Sequence, residues 1–184
     1  MRIVAGKHRG AKLASPEGLD VRPTSDRARE ALFSMVTSGR FGEVLHDRVV
    51  LDLFAGTGAL GLEALSRGAE RVVLVENDRR AVAAIRANIT KLRAEDAVMV
   101  RDADASNFCE RATRAAGLVL MDPPYSSGLW APALQAIERG GWLDTDTVIV
   151  VEVAKSEPVE PLEGYEVLDD RRYGAARLVL LRRA

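Results

Sequence analysis

The sequence predicts an α/β fold: a mostly parallel sheet of seven strands, covered by helices and finished by an antiparallel hairpin. From Val49 onward, short β-branched or Leu-rich runs alternate with amphipathic stretches, which is the pattern of successive βαβ units. The last two runs are joined only by Arg171-Arg172-Tyr173-Gly174-Ala175-Ala176-Arg177, too short for a helical crossover and suited to a hairpin. A chain of 184 residues, 47% hydrophobic and 29% charged, fits one domain with a substantial core.

Each element has its own signal. Arg2–Leu13 reads as a small hairpin turning near His8-Arg9-Gly10. Thr24 or Ser25, after Pro23, can cap a helix whose apolar stripe is Ala28, Leu32, Met35 and Val36. The strands are expected at Val49–Leu53, Arg71–Val75, Val98–Arg101, Leu118–Met121, Val148–Val153, Glu166–Leu168 and Leu178–Leu181. Ala59–Arg67 ends at Gly68 as a helix would, and Val82, Ile85, Ile89 and Leu92 recur at helical spacing. With no repeat or long linker in the chain, residues 1–40 are expected to form an appendage docked on one domain, 41–184.

A formal net charge of −1 argues against a wholly basic nucleic-acid binder, so any such contact must come from local patches. One patch lies at the front. Arg2, Lys7, Arg9 and Lys12 have no acid among them, and Arg22, Arg27 and Arg29 follow. A solvated arm is the plain alternative. Cys109 is the only cysteine, and His8 and His46 are the only histidines, so neither a disulfide, a Cys- or His-built metal site nor a His-based triad is expected. The N-terminus has charges but no apolar stretch of signal-peptide length, and no segment approaches the length of a membrane span, so a cytoplasmic protein is expected.

Asp122-Pro123-Pro124-Tyr125, just after the run Leu118–Met121, is the most informative segment. Two prolines stiffen the backbone and remove two N–H donors, so the loop presents a carboxylate, a bare carbonyl and an aromatic face to one small volume. That set suits a flat base bearing an amino group. The Pro123 carbonyl and the Asp122 carboxylate can both accept from the amine while Tyr125 stacks on the ring. Held so, the nitrogen is favoured as pyramidal, its lone pair aimed at an electrophile. A proline turn closing a strand, with Tyr125 packed on the core, is the structural alternative.

The loop Asp52-Leu53-Phe54-Ala55-Gly56-Thr57-Gly58-Ala59-Leu60-Gly61 follows the first strand and opens a helix. Gly56, Gly58 and Gly61 fit G-x-G-x-x-G, and Glu76 ends the next strand at the distance expected of a ribose-binding acid. NAD fits that pattern too. Asp52, four positions before the first glycine, would repel a pyrophosphate but could pair with an amino group, which favours a ligand carrying an ammonium and a sulfonium: S-adenosylmethionine. The candidate cofactor residues are Asp52, Ala55, Gly56, Thr57, Gly58, Glu76 and Asn77, with Asp104 and Ala105 placed for the adenine. Asp102 competes with Asp104, and helix capping is an equally ordinary role for Asp104.

With a Gly-rich loop after strand one, an acid ending strand two and Asp-Pro-Pro-Tyr after strand four, the chain resembles the class I S-adenosylmethionine-dependent N-methyltransferases, whose fold is Rossmann-like. More closely it resembles the RsmD family. The specific segments are Arg2-Ile3-Val4-Ala5-Gly6-Lys7-His8-Arg9-Gly10 and Arg22-Pro23-Thr24-Ser25-Asp26-Arg27-Ala28-Arg29-Glu30-Ala31-Leu32-Phe33, and Gly141-Trp142-Leu143 adds to them. The resemblance implies methyl transfer to N2 of one guanine in small-subunit (16S) ribosomal RNA, position 966, by a monomer without a metal. It further implies that Asp122, Pro123 and Tyr125 hold the guanine and that Arg2, Lys7, Arg9, Lys12, Arg22, Thr24 and Arg27 face RNA, within an assembled or assembling small subunit. Three rivals remain. A DNA adenine-N6 methyltransferase would use the same Asp122–Tyr125 loop; a nicotinamide-dependent oxidoreductase would use the glycines and Glu76; a non-catalytic RNA-binding module would keep the pocket unused.

Overall fold

In the structure, a computed structural model, residues 1–16, 26–159, 162–174 and 176–184 are described. Seven strands form one sheet: β1 (Val49–Leu53), β2 (Arg71–Glu76), β3 (Val98–Asp102), β4 (Leu118–Met121), β5 (Val148–Ala154), β6 (Tyr165–Tyr173) and β7 (Ala176–Arg183). Their spatial order is β3-β2-β1-β4-β5-β7-β6. The first five are parallel, and β7 runs antiparallel to both β5 and β6. The expected architecture is therefore present. The hairpin is longer than its sequence suggested, because the arginine-rich stretch expected to be the loop pairs as strand: Arg171 faces Leu178, Arg172 faces Arg177 and Tyr173 faces Ala176.

Among the described residues the helices are α1 (Asp26–Val36), α2 (Ala59–Ser66), α3 (Arg79–Leu92) and α4 (Trp130–Arg139), with a 3₁₀ turn at Ala105–Asn107. Alternation along the strands sorts the core into two layers. Val50, Leu118, Leu120, Val150 and Leu180 face α1, α2 and α3, whereas Leu51, Val119, Met121, Val151 and Leu181 face α4. Asp78 starts α3 by accepting from the N–H groups of Arg80 and Ala81. The cap expected for α1 at Thr24 or Ser25 lies outside the described residues.

The N-terminal segment belongs to the first layer, with Ile3 and Leu13 buried beside Leu32, Phe33 and Val36 of α1. Its hairpin is narrow, a ladder centred on the bridge between Arg2 and Lys12. What holds it is polar and comes from α2. The buried Glu63 carboxylate accepts from the N–H groups of Val4 (2.7 Å) and Ala5 (2.9 Å), and Ser66 Oγ accepts from His8 N–H at 2.9 Å. Gly6 sits at φ +80 where a Cβ would lie 1.7 Å from the Ser66 carbonyl oxygen, so no larger residue fits that contact.

Charge drives one departure from the expected apolar stripe of α1. Arg29, read with the basic patch, is fully buried; its guanidinium lies 3.6 Å from Glu63 and 2.7 Å from Asp26, and it donates to the Arg2 carbonyl. The buried side of the helix is Arg29, Leu32, Phe33 and Val36, with Ala28 and Met35 at its margins. Arg67 also pairs with Glu63, at 2.7 Å, so two guanidiniums and two amides satisfy one carboxylate. Arg29→Ala should therefore cost about 3 kcal/mol in denaturant unfolding, and the neighbouring Arg27→Ala, at an exposed position, under about 0.5 kcal/mol. Equal losses would mean that the buried pair contributes nothing special.

Candidate active site

The strand order reverses between β1 and β4, and open α/β sheets bind ligands outside the carboxyl ends of the strands at such a point. Acids collect there. Asp52 precedes the last residue of β1, Glu76 ends β2, Asp122 follows β4, and Glu152 lies in β5. Pairing of Met121 with Val151 puts Asp122 and Glu152 at neighbouring positions when the register is continued by one residue.

The glycine loop is bent by left-handed residues at Phe54 (φ 62), Gly56 (φ 56) and Gly58 (φ 77). A bulky residue such as Phe54 adopts that region only under constraint, so the loop is held rather than slack. Gly61 has a packing reason: a Cβ there would lie 2.4 Å from Leu74 and 2.8 Å from Val72, while its N–H donates to Asp52 Oδ2 at 2.8 Å. Asp52 is buried and its Oδ1 has no hydrogen-bond partner. Burial pushes its carboxyl up to about 7; the Gly61 N–H pulls it down, and the nearby Glu76 charge pushes it up again. Glu76 accepts from the N–H groups of Gly56, Asn77 and Asp78, each at 2.8 Å. Thus Gly56, which would serve a pyrophosphate in a dinucleotide site, here donates to a carboxylate.

Ala55 fixes the loop through both backbone groups, donating to Val75 and accepting from Gly58. The Thr57 side chain turns away from the loop's open side: it is buried, its hydroxyl lies 3.8 Å from Met1 Sδ, and its carbonyl accepts from the buried Asn88. That leaves Thr57 a backbone part at most among the candidate cofactor residues. Asp104 caps the 3₁₀ turn, accepting from Ser106 N–H at 2.9 Å and Ser106 Oγ at 2.7 Å, while Ala105 is buried. Asp102 is exposed and pairs in register with Glu76.

In the proline loop, Pro123 is buried and Asp122 and Tyr125 are half-buried. Tyr125 donates its hydroxyl to Glu152 Oε1 at 3.1 Å, and Glu152 is itself only 7% exposed. The loop is pinned further on, where Ser126 N–H donates to Glu157. Sequence reading missed Glu152. An acid inside Val-Ile-Val-Val-Glu-Val, with apolar residues on both sides, was the available signal.

The basic residues of the hairpin are spread rather than clustered. Arg2, Lys7, Arg9 and Lys12 are all exposed, as is Arg27 on α1, and Arg2 also pairs with Asp26 at 3.2 Å. Lys7 and Arg9 lie at the turn that docks on Ser66, the end of α2 farthest from the glycine loop, roughly 12 Å away along the helix. Met1 and Ala14, at the other end of the hairpin, reach Thr57 and Asn88 beside that loop. Arg22 and Thr24 lie outside the described residues.

A family model described as Conserved hypothetical protein 95 matches residues 1–182. The chain belongs to that family, the RsmD family of methyltransferases. It is 39% identical over 152 residues, 83% of this chain and 74% of the relative, to the Ribosomal RNA small subunit methyltransferase D of Escherichia coli. Identity to the protein of the same name from Haemophilus influenzae is 30% over 177 residues, 95% of this chain and 89% of that protein. Among solved structures, a putative methyltransferase yhhF from Escherichia coli superposes with a TM-score of 0.85 at 34% identity, covering 100% of this chain and 97% of that one.

Class I methyltransferases of this fold use S-adenosylmethionine, and the RsmD-family chain has a donor set that fits it. The orphaned Asp52 Oδ1 can take an ammonium, directly or through water, and the amide-held Glu76 can take ribose hydroxyls. In the ligand-free protein the raised Asp52 carboxyl has a stability consequence. A folded-state value near 7 against an ordinary 3.8 favours the folded state at low pH, an advantage lost as pH rises toward 7. Relative to Asp52→Asn, the ligand-free protein should lose melting temperature between about pH 4 and about pH 7. Parallel melting curves for the two proteins would assign the slope to other groups.

Proposed function

We propose that the protein transfers a methyl group from S-adenosylmethionine to the exocyclic N2 of a guanine in small-subunit ribosomal RNA, the guanine at position 966 being the one implied by its family resemblance. The observation that carries the reading is the shared sheet edge: Asp52 and Glu76 flank the glycine loop, and the Asp122–Tyr125 loop stands beside it across the switch point. Residues 1–40 then act as the RNA-facing appendage of the methyltransferase unit 41–184, with Arg2, Lys7, Arg9, Lys12, Arg22, Thr24 and Arg27 toward the RNA.

When bound, the cofactor supplies an electrophilic methyl on a sulfonium. The chain supplies position. Asp52, Glu76 and Asn77, with the backbone of Ala55, Gly56, Thr57 and Gly58, hold the amino acid and ribose parts, and Asp104 and Ala105 border the adenine. Asp122 and the Pro123 carbonyl accept the N2 hydrogens of guanine, and Tyr125 stacks on a base removed from its RNA partners. In this reading Asp122 also takes the proton released from N2. A nicotinamide reading is disfavoured because the Asp52 carboxylate borders the loop where a pyrophosphate would sit, and because it leaves the Asp122–Tyr125 loop without a task.

The decisive experiment is labelled methyl transfer to RNA and to small subunits from cells lacking this protein, followed by identification of the modified base. N2-methylguanine is expected with the wild type, and Asp122→Ala should lower kcat by roughly 100-fold or more with cofactor affinity nearly unchanged. Methyl on adenine, or full turnover in the variant, would overturn the assignment. For the RNA face, neutralising Lys7 and Arg9 together should weaken RNA binding and reduce the salt slope by up to about two units. An unaltered slope would return the hairpin to a solvated arm.

A further inference from the structure

Beside Tyr125 stands a residue that the positioning scheme above leaves without a task. Glu152 is a 7% exposed acid in β5, and alternation along the strand puts it, with Asp52, on the side of the sheet that carries α1 and α2. Continued register makes it the neighbour of Asp122, and its Oε1 receives the Tyr125 hydroxyl at 3.1 Å. A carboxylate offers about four lone-pair positions, so one that holds a tyrosine proton can accept from a ligand at the same time.

The number and type of acceptors constrain the base. Asp122, the Pro123 carbonyl and Glu152 bring three acceptor groups to one edge, and two neighbouring carboxylates repel each other unless donors lie between them. Guanine presents three hydrogens along one edge, two on N2 and one on N1, the two nitrogens joined through C2. An adenine turned for N6 methylation presents two, and beside them the N1 lone pair. Against a second buried carboxylate that lone pair would be an unpaired acceptor facing an acceptor, the arrangement from which sites built for hydrogen bonding draw their largest discrimination.

We infer that Glu152 is a specificity-determining residue of this pocket: its carboxylate holds the Tyr125 hydroxyl and accepts the N1 hydrogen of guanine, which admits guanine and rejects bases with a lone pair at that position. The inference rests on the guanine-N2 reading and adds the residue that enforces it. Tyr125 is then fixed at both ends, by the proline backbone and by its hydroxyl, before the base enters.

The test compares two RNA substrates for the full-length protein, one with guanine and one with 2-aminopurine at the methylated position. 2-Aminopurine keeps the 2-amino group and carries a lone pair at N1; its missing 6-oxygen affects every variant alike. Wild type should prefer guanine by roughly 100-fold or more in kcat/KM. Glu152→Gln can donate to the N1 lone pair, and Glu152→Ala removes the repulsion, so each should shrink that preference by roughly 10-fold or more. Tyr125→Phe should lower both rates and leave the ratio. A variant that lowers both substrates in proportion would give Glu152 a structural role only, and equal use of the two bases by wild type would overturn the inference without any variant. Absence of N2 methylation on the guanine substrate would instead remove the reading beneath it.

Discussion

The Glu63 carboxylate on α2 is the constraint on which the arrangement of the molecule depends. A charge buried in the protein interior is tolerable only when its partners are complete, and here they come from three separate stretches of chain: Val4 and Ala5, Arg29, and Arg67. Satisfying that single group fixes the N-terminal hairpin and α1 against the helix that opens from the glycine loop. Asn88 repeats the device closer to the site, bonding both backbone groups of Ala14 and the Thr57 carbonyl. The N-terminal segment is thus fastened to the loop that bends around the candidate cofactor, by polar groups with directional demands and not by apolar contact alone.

The candidate site itself is a row of acids at the ends of parallel strands. The βαβ topology delivers them together, since every loop leaving a parallel strand emerges at the same sheet edge. Their environments differ. Asp52 is buried with one oxygen satisfied; Glu76 is held by three amides; Glu152 is bound to Tyr125. A cationic ligand on one side of the switch point and a donor-rich base on the other would answer the two halves of this row.

Much of this was legible in the chain because it rests on local rules. Strand positions followed from β-branched runs, the end of α2 from Gly68, and the loop acids from their distance to the glycines. What escaped depended on contacts distant in sequence. Arg29 looks like one more exposed cation beside Arg27, and only its meeting with Glu63, thirty-four positions on, makes it a core residue. Thr57 occupies a loop position that suits a ligand, yet Met1 and Asn88 approach from behind it. Glu152 sits in a run that periodicity reads as core strand; its meaning comes from Tyr125, on another loop. The hairpin arginines read as loop since polar residues dominate there, although an edge pair needs only one protected face.

The position of the N-terminal turn bears on what kind of RNA the protein would accept. Because α2 runs back from the glycine loop toward the opposite edge of the sheet, Lys7 and Arg9 lie roughly a helix length from that loop. A single nucleotide in the site would not reach them. An RNA that engages them as well as the site would extend along the flank formed by the hairpin and α2. The outer face of α3 borders the same layer, and between Arg79 and Arg93 the chain carries Arg80, Arg86 and Lys91 with no acid at all. Phosphate contacts along that flank would set orientation without reading sequence, leaving the identity of the base to the few acceptors at the sheet edge.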